Sequence, residues 1–336
     1  MPIKSICPVV LFLAMTTAPA CDLCAVYRAS DAQGETGSGL VFSLAEQFVP
    51  SRTAQFRSQE VHPTFREHVD SSITHLVASY NFTPRFGLSL NVPLTHLDYR
   101  RRDVRYSLST PPVPYTEDRS EAGMGDVALI GRLTLFQHKQ PRSSIFVNAL
   151  VGVKFPTGDD SRLDEEIDQT RIYDGYPGPH SDPLEHSSTS VHLHSIALGS
   201  GSFDGIFGLT VNANWQRWFL NCQFQYYLRT EGDSEFKYGD ELMVSGGPGF
   251  LLVQTRTCSL GLQVNAVYDW MSRDELLGRI SDRTGMTAWY LGPLLTFSWG
   301  TRFSANAGVD VPLQIRNAWF QTVPNYRLHG GVSWNF

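Results

Sequence analysis

Twelve stretches of this chain alternate apolar and polar residues with a period of two, and the gaps between them alternate just as regularly between short and long. A period of two marks a strand whose faces meet unlike surroundings. In 86–99, Leu88, Leu90, Val92 and Leu94 share one side, and Ser89, Asn91, Pro93 and Thr95 share the other. The stretch 143–156 sets Ile145, Val147, Ala149, Val151 and Val153 against Ser144, Asn148, Gly152 and Lys154. In 218–230, Trp218, Leu220, Cys222, Phe224 and Leu228 oppose Asn221, Gln223, Gln225 and Arg229. The remaining stretches are 39–49, 71–83, 124–137, 203–216, 240–254, 258–271, 286–299, 302–315 and 325–336. No helical stripe competes over comparable lengths.

Short gaps fall near 83–85, 138–142, 217, 255–257 and 300–301; long ones span 50–70, 100–123, 157–202, 231–239, 272–285 and 316–324. A soluble sandwich has no reason to keep that alternation. A bacterial outer-membrane barrel has one, because short periplasmic turns and long external loops follow from an even number of tilted strands. Closure satisfies every backbone donor and acceptor inside the hydrocarbon. The expected fold is therefore all-β, a transmembrane antiparallel β-barrel of about twelve strands with both ends periplasmic. Its apolar face meets outer-membrane lipid, and its polar face lines a wet lumen. The chain ends on Tyr326, Leu328, Gly330, Val332, Trp334 and Phe336 in alternation. That resembles the C-terminal signal by which the barrel-assembly machinery takes up outer-membrane barrels, with Phe336 as the terminal aromatic.

Composition excludes the competing classes. With 42% hydrophobic and 12% aromatic residues, the chain has enough apolar material to offset the entropy of ordering. A net charge of −6 lacks the basic footprint of a nucleic-acid binder. No run of 18 apolar residues offers a membrane-spanning helix.

Residues 1–20 read as a secretory signal: Lys4, an apolar run from Ile6 to Met15, then Ala18-Pro19-Ala20. Cleavage there leaves 21–38 as a periplasmic segment and 39–336 as the barrel. The segment carries Cys21-Asp22-Leu23-Cys24. A CxxC without a second ligand pair is weak evidence for zinc, and without a following His it is not a haem site. It reads as a local disulfide or two thiols without function, with a metal site or the docking of a periplasmic redox or metal-handling partner as the alternative. A lipid-modified Cys21 is disfavoured because Ala18 stands where lipoprotein signals place Leu.

A family resemblance follows from short motifs over roughly 85–336. Gly125-Asp126-Val127 with Gly131-Arg132, and Gly152-Val153-Lys154-Phe155-Pro156-Thr157-Gly158, are similar to stretches of the outer-membrane family labelled meta-pathway phenol-degradation proteins. So are Gly199-Ser200-Gly201-Ser202-Phe203-Asp204, Glu231-Gly232-Asp233 and Gly239-Asp240-Glu241. The resemblance implies a barrel with a transport role for small solutes, aromatic or otherwise hydrophobic. It supplies no catalytic residue.

The candidate functional residues lie on the polar parity: Asp126, Arg132, Asn148, Lys154, Gln223, Gln225, Arg229, Asp269, Arg302 and Asp310. Facing water, such a set tunes pore selectivity; paired among themselves, the same residues fill and close the barrel. The longest gap, 157–202, concentrates acids (Asp159, Asp160, Asp164, Glu165, Glu166, Asp168, Asp174, Asp182, Glu185) and His180, His186, His192 and His194. It matches no EF-hand and reads as a solvated external loop with surface histidines, although folding inward would narrow the pore. His192 and His194, two apart, share a face of an extended segment and form an alternative transition-metal pair. No motif demands a cofactor. An outer-membrane hydrolase is the weakest reading, because no G-x-S-x-G elbow occurs and His194-Ser195 point opposite ways on a strand. A channel is favoured, and a non-conducting scaffold acting through the CxxC segment is its rival.

Overall fold

The computed structural model describes residues 39–63 and 65–336. The signal, the 21–38 segment, Cys21 and Cys24 lie outside the described residues. Twelve strands form the wall: β1 Gly39–Phe56, β2 His68–Asn81, β3 Phe86–Arg105, β4 Ala128–Gln140, β5 Ser143–Lys154 and β6 Asp204–Trp215. They continue as β7 Trp218–Leu228, β8 Glu241–Gln254, β9 Cys258–Met271, β10 Met286–Trp299, β11 Phe303–Asn317 and β12 Arg327–Asn335. Each pairs antiparallel with its sequence neighbours, and β12 closes on β1 from Val41↔Asn335 to Phe48↔Leu328. Closure leaves the membrane-spanning part of the wall no open edge for another chain to extend.

The apolar parity faces outward on every side. Phe42 and Leu44 on β1, Leu129 and Leu133 on β4, Leu220 and Phe224 on β7, and Leu291 and Leu295 on β10 are all exposed. Cys222 is exposed among them. Trp215, Trp218, Trp299 and Trp334 gather at the end of the short turns, where both described chain ends also lie. An aromatic ring of this kind sits at a membrane–water boundary. No described helix is long and apolar enough to cross a membrane; the strands do the crossing.

Two features depart from the sequence-based expectation. The gap after the third stretch is largely strand: Val113–Met124 pairs with the upper half of β3, from Leu94↔Met124 to Arg105↔Val113. It rises where both faces meet water, so no alternation marks it. The gap 157–202 is not a solvated loop. It folds back into the barrel mouth as helix α1, Ser161–Asp174, and ends in a 3₁₀ turn, Leu193–Ile196. Leu163, Ile167 and Leu184 pack with Phe236 and Leu276 of neighbouring loops, while Val191, Leu193 and Ile196 pack on Val69, Leu97 and Tyr99 of the wall. These small cores compensate the ordering of a long segment.

Candidate functional site

The site is the extracellular half of the lumen, where the inward loop meets the wall. The break between Val113–Met124 and β4 turns Asp126 inward. There it accepts Lys154 Nζ at 2.8 Å, Ser200 Oγ at 2.7 Å and the backbone N–H groups of Ser200, Gly158 and Thr157 at 2.9, 3.0 and 3.2 Å. Lys154 also reaches Asp204 at 2.7 Å, and Arg229 bridges Asp204 at 3.0 Å and Glu241 at 3.1 Å. Ser202 Oγ and the Thr230 N–H donate to Asp204. Burial pushes the Asp126 carboxyl up, but the Lys154 ammonium and the bonds it accepts hold it below its ordinary value. The motif stretches thus converge on one buried cradle of two cations and three carboxylates. Its neck is glycine: Gly158 and Gly199 lie back to back, and a Cβ on either would collide with the backbone of the other.

Further pins hold the loop higher up. Glu67 accepts Ser190 N, Ser190 Oγ and Thr189 Oγ at 2.7, 2.6 and 2.8 Å. Asp103, itself bonded to buried Arg101, accepts Ser187 Oγ and the Ser188 N–H. Arg162 of α1 pairs with Glu121. At the centre, Glu166 accepts both the backbone N–H and Nδ1 of His194, at 2.8 and 2.7 Å. Burial raises the Glu166 carboxyl, but the charge and hydrogen bond of His194 prevail and hold it at about 2. His194, opposed by burial but favoured by Glu166, moves above its ordinary value. Burial, reinforced by the adjacent His194, lowers His192 to about 4.

Beneath this plug lies a cavity of about 330 Å³, lined on one side by cradle residues and on the other by Ile73, Leu97, Leu198, Met271 and Met286. Asp269 meets Arg327 at its floor, at 2.6 Å. Of the sequence candidates, Asp126, Lys154 and Arg229 meet in the cradle. Asn148, Gln223 and Gln225 line the lower lumen, where Asn148 bridges Thr134 and Thr210. Asp310 accepts from Asn265 at 2.8 Å and lies 3.2 Å from His329. Arg132 turns to Asn81 and Thr134. Arg302 does not join them: it lies in the turn between β10 and β11 and is exposed.

The surface-histidine expectation fails for His186, His192 and His194, which are buried by the infolded loop. His192 and His194 stack with ring centroids 5.2 Å apart and planes 8° apart, so their in-plane lone pairs run parallel rather than converging on one ion. Among the described residues, no group of three or more His, Cys, Asp or Glu side chains is arranged to hold a metal ion. Both ring nitrogens of His194 face carboxylates, Glu166 at 2.7 Å and Asp274 at 3.7 Å, which leaves none to activate a serine. Sequence reasoning did not single out Asp204, Glu241, Glu67 or Arg327. Asp204 and Glu241 stood inside the quoted motifs; Glu67 carried no signal.

No protein-family model and no curated protein matches the chain. Among solved structures, the chain is similar to an outer-membrane channel from Pseudomonas putida F1, with TM-score 0.58 and 13% identity over 91% of this chain and 98% of that one. Looser likenesses are the beta domain of the Bordetella autotransporter BrkA (TM-score 0.42, 8% identity, 89% and 100% covered) and the CymD monoaromatic hydrocarbon channel (0.39, 8%, 94% and 94%). The P. putida likeness shows the fold. With the apolar outward band and the aromatic ring at one end, this chain is an outer-membrane β-barrel.

Proposed function

We propose that the protein is a channel for small hydrophobic or aromatic solutes, with its aperture set by the infolded 157–202 loop. The observation that supports this best is the cavity under the plug: it lies within the barrel, it is part apolar, and its charges are tied in pairs. A pocket of a few hundred Å³ suits a small molecule. The motif resemblance to the phenol-degradation family agrees with that class. Liposome swelling with purified protein tests the reading. Swelling is expected with small uncharged solutes, falling off steeply as solute size exceeds the cavity. A barrel that admits no solute at any size contradicts it.

A further inference from the structure

Three side chains of the cavity under the plug carry hydrogen-bonding atoms that no other described residue uses. Ser71 and His192 are 0% and 2% exposed. Among the described residues, neither ring nitrogen of His192, nor Ser71 Oγ, nor the buried Gln321 Oε1 has a hydrogen-bond partner. All three residues line the cavity. The topology brings them there from separate elements. Ser71 projects from β2, beside Val49 of β1. Leu97, the β3 partner of Ser71, packs on Val191 and Leu193, which flank His192, whereas Gln321 pairs with Gln55, six residues along β1 from Val49; at a strand rise of about 3.3 Å per residue it lies roughly 20 Å further up the wall. A buried polar atom without a partner costs about 1–3 kcal/mol, so such atoms are rarely left together without a purpose.

The surrounding charges fix what kind of ligand answers these atoms. Lys154 is met by Asp126 and Asp204, Arg229 by Asp204 and Glu241, and His194 by Glu166. An ionic ligand would have to break one of these pairs and leave a buried charge behind. The orphaned groups are neutral. Burial holds His192 at about 4, so near pH 7 its imidazole offers one N–H and one lone pair. His192 Nδ1 stands 3.9 Å from Glu166, beyond hydrogen-bond reach. Ser71 adds a hydroxyl. Ile73, two residues along the inward face of β2 from Ser71, and Met286 supply apolar contact.

We propose that Ser71 and His192 form a binding subsite for an uncharged solute with an apolar body and a hydroxyl or carbonyl group. The subsite rests on the channel reading for its role, though not for its chemistry. Equilibrium dialysis of the full chain in detergent, against matched empty micelles, tests it with cyclohexanol, methylcyclohexane and cyclohexanecarboxylate. Cyclohexanol is expected to be retained above the micelle blank and above both analogues. Ser71→Ala and His192→Phe are each expected to weaken its retention about three- to tenfold, the worth of one hydrogen bond. Heat-modifiable gel mobility identifies variants that have lost the barrel; if His192→Phe is one, Ser71→Ala decides. Equal retention of cyclohexanol and methylcyclohexane, preference for the carboxylate, no retention above the blank, or no loss in the folded variants overturns the subsite. Retention without solute flux overturns the channel reading and leaves the subsite standing.

Discussion

The two halves of the lumen hold their polar groups in different ways. Toward the periplasm, uncharged side chains bond along the wall: Ser43 to Ser333 and Thr134 to Asn148 to Thr210 across neighbouring strands, and Asn221 to Gln263 over the intervening β8, with Arg132 donating to Thr134. Toward the outside, buried ions tie the wall to a loop through Asp126, Lys154, Asp204, Arg229 and Glu241. A neutral hydrogen bond is worth about 0.5–1.5 kcal/mol net, and its loss is local. A buried ion deprived of its partner costs about 3–5 kcal/mol. The ladders therefore finish a wet wall that tolerates change, whereas the cradle fixes one position for a segment with little apolar surface of its own. The contrast assigns anchoring of the loop to the ions of the outer half and leaves the periplasmic half to the solute path proposed above.

The largest expected effect comes from Asp126→Ala. It leaves Lys154 one carboxylate, Asp204, in place of two and strips the N–H groups of Thr157, Gly158 and Ser200 of their acceptor, so the docked loop should lose about 3–5 kcal/mol. Proteolysis within 159–198 on intact barrels should accelerate strongly, while heat-modifiable mobility shows the barrel still closed. Glu67→Ala removes three bonds to the loop from one carboxylate and should cost about 2 kcal/mol by the same assay. If either matches a ladder variant in size, the division between the halves is wrong.

Acidification supplies a third, smaller effect. His192 sits at about 4 when docked and returns toward 6.5 when released, so docking weakens as pH falls from 6.5 toward 4. His194 is raised; its contribution is complete below 6.5 and is lost only as pH rises through its docked value. Glu166 contributes above about 4.5 and loses its contribution only as pH falls toward about 2. Docking is thus tightest near pH 6.5, and loop cleavage by an acid-tolerant protease, corrected for its own pH profile, should rise roughly tenfold at pH 4.5. A flat profile contradicts this. Asn148→Ala should have the smallest effect, about 1 kcal/mol on barrel stability with unchanged loop cleavage, because it opens one rung of a ladder.

The wall was legible because lipid on one side and water on the other impose alternation on each strand; Leu88 to Leu94 could scarcely be anything else. Where β1 and Val113–Met124 rise above the membrane that constraint ends, and the strands lose their signature. The loop misled for a different reason. Glu166 and Asp182 look solvated when only local sequence is read, since their partners lie 28 residues away at His194 and 99 residues away at Ser281. Helix α1 shows only Leu163 and Ile167 as an apolar stripe, too little to announce a buried face. The motifs did mark the cradle, but Asp126, Lys154 and Asp204 carry no sign in sequence that they meet.

The infolded loop is the element proposed to set the aperture. Because Gly158 and Gly199 meet at its neck, residues 160–197 can be excised with the cradle residues retained. Single-channel conductance of the intact and excised barrels in planar bilayers is the direct measurement. Small conductance is expected for the intact barrel and a severalfold larger one after excision, with loss of the size cut-off. Equal conductance from both, or none from either closed barrel, contradicts it.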